Sequence, residues 1–406
     1  MNAKPTSPSQ AGRPDPALAR RMTSLGSSAV RDLLSITARP DIVSMAGGLP
    51  DRSAMPRDWL AACLDDALAE PGALQYSTTE GDAELRAIVA GWEADWSGRP
   101  VTPEDVLITT GSQQALGLIG SALLDPGDQV VVEDPAYVGA LGAFRLAEPE
   151  LVAIPQDEQG MQVDVLEERL AAGLRPKLVY VTPTFHNPAG STLPEQRRRR
   201  LVELAGEHGF WLIEDDAYRM LWFQGPPPAP IASFGERVLH MGTFSKILSP
   251  GLRVGWLVAP PALRRAVMRV KQSTDLHTST LGQIALRNAA RDGAQLEQHL
   301  EQVRALYSRR AQHMLLGLDR EFGTAVQVVA PTGGMFCWAR FTDGTDTGQL
   351  LPAAIAEGAA FVPGEAFSIT GSQSHAARLC FASVPEEQLD LGLERLARAH
   401  RKGRAA

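Results

Sequence analysis

The sequence predicts an α/β protein with two parts. A large domain holds a mostly parallel seven-stranded sheet flanked by helices. A smaller α/β domain is drawn from the N- and C-terminal segments. Three observations predict this. Seven short runs, nearly continuous in apolar residues, alternate with helical patterns from about residue 100 to 260. That pattern marks a sheet buried on both faces. Past 260, long helical stretches dominate and β-like runs become short. A chain of 406 residues also exceeds what a single core usually organises.

The seven runs are Val106–Thr110, Val130–Glu133, Leu151–Ile154, Leu178–Thr182, Phe210–Glu214, Val238–Gly242 and Gly255–Val258. Helical stretches lie between several of them, at Gln114–Leu123, Val163–Ala172 and Glu195–His208. Ligands of such sheets sit at the carboxyl ends of the strands. Later helices are expected over Leu263–Gln272, Leu296–Leu318 and Glu386–His400. Later strands are expected over Val326–Val329, Phe336–Arg340 and Arg378–Ala382. The large domain is then 56–290, and the small one 21–55 with 291–406. Residues 1–20 are polar, with several Pro and Ser, and read as a disordered tail. The GPPPAP stretch at 225–230 reads as a stiff loop inside the large domain. The four arginines Arg197–Arg200, within a helix, read as a solvated face.

Composition narrows the function classes. A net charge of −8 argues against a nucleic-acid partner. Three widely spaced cysteines, Cys63, Cys337 and Cys380, suggest neither a disulfide framework nor a metal site. A reducing cytoplasm fits best. No apolar run approaches the ~18 residues of a membrane span. Lysine occurs only at positions 4, 177, 246, 271 and 402, so arginine carries most of the positive charge. A lysine kept in such a chain raises a chemical question, because the two are not interchangeable as nucleophiles.

Lys246 follows an apolar strand, in TFSKILSPGLR (243–253). Partial desolvation there lowers an amine's pKa and makes it a nucleophile toward carbonyls. Thr243, Ser245 and Arg253 are suited to hold a phosphate; a surface lysine is the alternative. Ser112 and Gln113 open a helix after a strand, where backbone N–H groups and the helix dipole favour anions, although Ser in this place is more often a plain helix cap. Asp215 ends another apolar strand. It can keep a ring nitrogen protonated or serve as a turn acid. Asn187 lies at a strand end and offers both a donor and an acceptor. Tyr137 can stack on a flat ring or pack in the core. Arg378 can clamp a carboxylate through a bidentate pair or form an ordinary ion pair.

Taken together, these stretches resemble one family. SMAGGLPD (44–51), YSTTEGDAELR (76–86), TTGSQQAL (109–116), VEDPAYVGAL (132–141), the Asn187 loop, IEDDAY (213–218), GTFSKILSPGLRVGW (242–256) and VPGEAF (362–367) carry the resemblance. It is to fold-type I pyridoxal-phosphate aminotransferases of class I/II. Within them the chain is most similar to the aminoadipate and kynurenine group. Aminotransferase-like domains fused to some bacterial regulators share it.

The resemblance implies pyridoxal 5'-phosphate as cofactor, bonded to Lys246, which then shuttles the substrate proton. It implies that Asp215 pairs with the ring nitrogen, that Tyr218 and Asn187 contact the ring hydroxyl, and that Tyr137 stacks on the ring. Lys246, Asp215 and Tyr137 are thus the implied catalytic set. Ser112, Gln113, Thr243, Ser245 and Arg253 are implied to bind the phosphate, and Tyr76 to reach the phosphate of a partner subunit. Arg378 and Asn187 are implied to bind the substrate carboxylate, with Gly47 and Gly48 letting backbone approach. A homodimer with shared active sites is implied, acting on amino acids and 2-oxo acids by a ping-pong mechanism.

The sequence departs from the pattern at His186, where Gln is common, and at Ala189, where Thr is common; His186 is expected at the site rim without a role of its own. RLCFA, around Arg378, lacks a commoner Ser. Two alternatives stay open. One is another reaction on the same cofactor: elimination, cyclisation or oxidation. The other is an effector domain of a transcription regulator, disfavoured because the segment before Ser44 is short for a DNA-binding module. Arg20, Arg21 and Arg31 are candidates for reading an acidic substrate side chain.

Overall fold

The computed structural model describes residues 18–23 and 39–405. Arg31 and most of the expected tail, 1–17, lie outside the described residues. Arg20 opens a short 3₁₀ turn, Arg20–Thr23.

The central sheet comprises β2 (Val106–Thr109), β3 (Gln129–Asp134), β4 (Glu150–Asp157), β5 (Gly160–Met161), β6 (Leu178–Val181), β7 (Trp211–Asp215), β8 (Val238–Thr243) and β9 (Gly255–Val258). Its order is β2-β9-β8-β7-β6-β3-β4-β5. β8, β7, β6, β3 and β4 pair in parallel. β9 runs against both neighbours, and β5 turns back on β4. The expected seven strands are therefore eight, the extra one being the two-residue β5. It carries too few side chains to show a pattern in sequence.

β6 and β8 are buried at every position, and β3 at five of six. Helices on both faces exclude water from these strands, so no polar alternation survives in their sequence. Because only β9 and β5 are reversed, the carboxyl ends of β2, β3, β6, β7 and β8 open along one edge.

Helix Glu195–His208 occupies its expected bounds and stops at Gly209, whose left-handed φ of 81° suits a C-cap. Its arginines do not form a uniformly solvated face. Arg198 is fully buried. It donates to the carbonyls of Leu193 and Pro183 and to the Thr184 hydroxyl. The 3.6-residue period turns one of four consecutive side chains inward. Arg197, Arg199 and Arg200 instead pair with Asp157, Glu195 and Glu167. The sequence analysis placed no helix at Thr280–Arg291. Its polar residues Gln283, Arg287 and Arg291 recur every four residues, as on one helix face, yet Gln283 and Arg287 are buried.

A second sheet, antiparallel, contains β10 (Val326–Val328), β11 (Phe336–Phe341), β13 (Val362–Pro363) and β14 (Ala376–Cys380) in the order β10-β11-β14-β13. A parallel pair, β1 (Val43–Ser44) with β12 (Ala359–Ala360), lies beside it. Met45 N donates to Ala360 O (2.8 Å), and Cys380 N donates to Met45 O (2.8 Å). These bonds hold the segment carrying Gly47 and Gly48 against β14, the strand of Arg378. Among the described residues, no helix is long and apolar enough to cross a membrane. The three cysteines are buried and free.

Candidate active site

The open edge of the central sheet gathers the residues singled out above. After β2 the chain turns at Gly111 (φ 76°) into the helix Ser112–Leu123. A Cβ at Gly111 would lie 2.5 Å from Arg253 Nη2, so only glycine admits the guanidinium here. Arg253 Nη1 donates to Ser245 Oγ (3.3 Å) and Pro250 O (3.3 Å). Thr243 and Ser245 hydroxyls lie 3.0 Å apart, and Ser245 N donates to Thr243 Oγ1 (3.1 Å). A guanidinium, two hydroxyls and a helix N-terminus thus meet at one point. This is a donor-rich pocket of the kind phosphate takes. Across from it, Gln113 Nε2 donates to Gly139 O (2.8 Å), and the Tyr137 hydroxyl lies 3.4 Å from Gln113 Oε1.

Lys246 follows β8 and is half-buried; its Nζ donates to Gly48 O (3.0 Å). Burial lowers its pKa to about 8, and the neighbouring Arg378 and Arg253 push the same way. A larger fraction of the amine is therefore neutral near neutral pH than in free lysine. Asp215, the last residue of β7, is 4% exposed. Burial pushes its pKa up to about 6, against a hydrogen bond from Tyr180. Nζ of Lys246 stands 5.9 Å from the centroid of the Tyr218 ring, and Asn187 Nδ2 donates to the Tyr218 hydroxyl (3.3 Å).

Arg378 reaches the same crevice from the second sheet. It is 3% exposed, with Nη1 donating to Asn187 Oδ1 (2.9 Å) and Nη2 to Ala46 O (2.7 Å). The rings of Phe336 and Phe367 flank its guanidinium at 4.5 and 4.9 Å. A Cβ on Gly48 would come within 3.2 Å of Phe336.

Two buried polar atoms of this group have no partner: Asp215 Oδ1 and Arg378 Nε. Buried polar groups are rarely left so. The first lacks a donor and the second an acceptor. A ligand with a protonated ring nitrogen and a carboxylate supplies both, and the hydroxyl-arginine pocket fits its phosphate. The residues therefore fit pyridoxal phosphate with an amino acid bound to it. Tyr76 stands apart from the cluster. It is 79% exposed and packs edge-on against His277 at 5.8 Å.

The rim position expected for His186 is not observed. It is fully buried, with Nε2 3.0 Å from Glu133 Oε2 and Nδ1 accepting from Ala189 N (3.1 Å). Glu133 Oε2 also accepts from Thr182 N (2.8 Å). His186 thus ties the turn that presents Asn187 to the end of β3. Three further groups escaped the sequence reading. Tyr180 donates to Asp215. Beneath Asp215, Glu93 and His240 form a 2.6 Å pair, and Asp216 pairs with Arg219. Burial works to raise the Asp216 carboxyl, but Arg219 and His240 overcome it and hold it low. Their only trace in sequence is a polar residue inside an apolar run, as in LVYVT and VLHMG.

Comparison with known proteins bears on what this crevice does. The profile of the family "Aminotransferase class I and II" matches residues 41–396. This chain belongs to that family. It is 42% identical over 378 residues to aromatic-amino-acid aminotransferase 1 of Thermococcus litoralis, covering 91% of this chain and 90% of that one. It is 42% identical over 379 residues to the 2-aminoadipate transaminase of Thermus thermophilus, covering 92% and 93%. It is also similar to the crystal structure of the α-aminoadipate aminotransferase of Thermus thermophilus complexed with N-(5'-phosphopyridoxyl)-L-leucine. There the TM-score is 0.89 at 39% identity, over 96% of this chain and 98% of that one. The protein is an enzyme of the pyridoxal-phosphate-dependent transaminase type, within the aminoadipate and kynurenine group, and its reaction is amino-group transfer.

Proposed function

We propose that this aminotransferase binds pyridoxal 5'-phosphate through Lys246 and moves the amino group of an L-α-amino acid to a 2-oxo acid. The observation that carries the reading is a nucleophilic amine and a buried carboxylate, Lys246 and Asp215, at adjacent strand ends in one crevice. The bound cofactor supplies an electron sink for the pair left when the substrate Cα–H bond breaks. Lys246 takes the Cα proton and delivers it to the cofactor's C4′ rather than back to Cα, for which an amine with a lowered pKa is suited. Asp215 holds positive charge on the cofactor's ring nitrogen. Asn187 and Tyr218 face its ring hydroxyl, Tyr137 covers one ring face, and Ser112, Gln113, Thr243, Ser245 and Arg253 hold its phosphate. Arg378, with Asn187 and the Gly48 backbone, binds the substrate carboxylate.

In this reading 56–290 is the cofactor-binding domain, and 21–55 with 291–406 is the small domain. The chain works in the cytoplasm as a homodimer. Tyr76, exposed in one chain, completes the phosphate site of the other. Donors of the aromatic and aminoadipate classes are favoured, since those are the substrates for which the similar proteins are named.

The test is the visible absorption spectrum of the purified protein before and after L-amino acids are added without a 2-oxo acid. A band that bleaches in one stoichiometric turnover supports the reading. A band that is absent, or unmoved in Lys246→Ala, defeats it. A band that survives many turnovers while ammonia accumulates points to elimination.

A further inference from the structure

The Tyr180 hydroxyl is a buried group to which the mechanism above gives no task. We propose that Tyr180 is a positioning residue that commits one oxygen of Asp215 and leaves the other free for the protonated ring nitrogen of the cofactor. The inference rests on the proposed role of Asp215 and deepens it.

Tyr180 lies within β6, fully buried, its ring edge-on to Phe144 at 5.7 Å. Strands β6 and β7 run in parallel register, with Val181 opposite Glu214, so Tyr180 is beside the end of β7. Its hydroxyl donates to Asp215 Oδ2 at 2.9 Å, while Asp215 Oδ1 has no partner. The same hydroxyl lies 3.2 Å from Thr182 Oγ1. An ionised carboxylate has no proton to give, so the Tyr180 proton points at Asp215. The Thr182 hydroxyl is then free to donate to the Tyr180 oxygen. Two donors in series polarise each other and strengthen the bond at the carboxylate. Burial raises the Tyr180 pKa well above its usual value, so the hydroxyl remains a donor throughout the working range.

The charge on Asp215 is finely set. Burial raises its pKa and Asp216 adds to that, while Tyr180, His240 and Lys246 work to lower it. Removing the Tyr180 donor leaves Oδ2 as bare as Oδ1. The carboxyl then stays protonated to higher pH. A neutral carboxyl cannot hold a protonated ring nitrogen.

The test is Tyr180→Phe, which removes one oxygen and keeps the ring packing. Apoprotein affinity for pyridoxal phosphate is measured by equilibrium dialysis across pH. Wild type shows one limb near pH 6 from Asp215 and another near pH 8 from Lys246. In Tyr180→Phe the lower limb moves up by about one pH unit and the upper limb stays. That corresponds to about fivefold weaker binding at pH 6, approaching tenfold well below it. Thr182→Val moves the lower limb the same way by less. A purely structural role would weaken binding equally at all pH values, and that result overturns the proposal, as does a lower limb that coincides with wild type. Asp215→Asn separates the two ideas. If it loses the lower limb while Tyr180→Phe changes nothing, only the Tyr180 inference falls. If Asp215→Asn itself binds and turns over like wild type, the assigned role of Asp215 falls as well.

Discussion

The two ends of the crevice are built differently. At the ring-nitrogen and phosphate end, the residues come from strand ends of one sheet: Ser112 after β2, Asp215 closing β7, and Thr243, Ser245 and Lys246 around the end of β8. Each closes its strand or follows it within a few residues. At the carboxylate end, Arg378 comes from the second sheet, Asn187 from a turn after β6, and the Ala46 and Gly48 carbonyls from a segment pinned by β12 and β14. The first end is set by local sequence and sheet order. The second exists only if segments more than 100 residues apart meet. The cofactor end should therefore tolerate change in the second sheet, and the carboxylate end should not.

The largest expected effect lies where the ends meet. Lys246 Nζ donates to Gly48 O, on the carboxylate side, while its backbone belongs to the cofactor side. Lys246→Ala removes the group that moves the proton. Turnover should fall by roughly 10³-fold or more, in keeping with the loss of both a nucleophile and a general base. Single-turnover transfer from a donor to the cofactor is the measurement. A loss of tenfold or less would mean another base serves.

Arg378→Ala probes the carboxylate end alone. It removes a buried cation held by Asn187 and Ala46 between two aromatic rings. The cost should be about 3–4 kcal/mol, roughly 10²- to 10³-fold in kcat/KM, within the range for truncated buried charges. It should fall alike on every α-amino acid donor. Cofactor affinity should stay within about threefold, well below the 1.4 kcal/mol of a tenfold change. A parallel loss of cofactor would show that the two ends are not separable.

A tenfold effect is expected from pH. The Lys246 pKa in the fold, about 8, lies below its ordinary 10.5, because burial disfavours the charged amine. Only the neutral amine attacks a carbonyl. The rate of cofactor uptake by apoprotein should therefore rise through pH 8 and level off above it. At pH 7 it should be about one tenth of the plateau, one unit below the pKa. The linkage sign follows from the same shift. Between about 8 and 10.5 the unfolded state holds more protons at this lysine, so its penalty on apoprotein stability fades as pH rises through that window. Stopped-flow absorbance reads the rate. A profile flat from pH 7 to 9 would remove the lowered amine pKa.

The contrast between the ends also explains what was legible in the sequence. Seven of the eight sheet strands, and Lys246, Asp215 and Ser112 at their ends, could be placed because buried parallel strands write continuous apolar runs. β5 was missed, since two residues cannot show a period. His186 was expected at the rim as a departure from the family pattern in the Asn187 loop. Its burial depends on Glu133, 53 positions earlier, and no local pattern connects the two. Arg198 was expected in solvent with its neighbours, and the cavity that takes it is lined by Pro183, Thr184 and Leu193. Buried polar groups satisfied at long range are what sequence periodicity conceals.

The smallest expected effect decides whether the two ends are independent. Asn187 belongs to both: its Nδ2 donates to Tyr218 on the cofactor side, and its Oδ1 accepts from Arg378 on the carboxylate side. A double-mutant cycle of Asn187→Ala with Arg378→Lys, read as kcat/KM, should give a coupling of about 1 kcal/mol, since the two side chains touch. The same cycle with Tyr218→Phe should give about half that, because the 3.3 Å bond is longer and neutral. If the Tyr218 cycle gives the larger coupling, Asn187 acts mainly on the cofactor, and the boundary between the two ends runs through Arg378 instead. If both cycles give zero, the crevice is two sites side by side, and the Asn187 turn held by His186 serves only to close the wall between them.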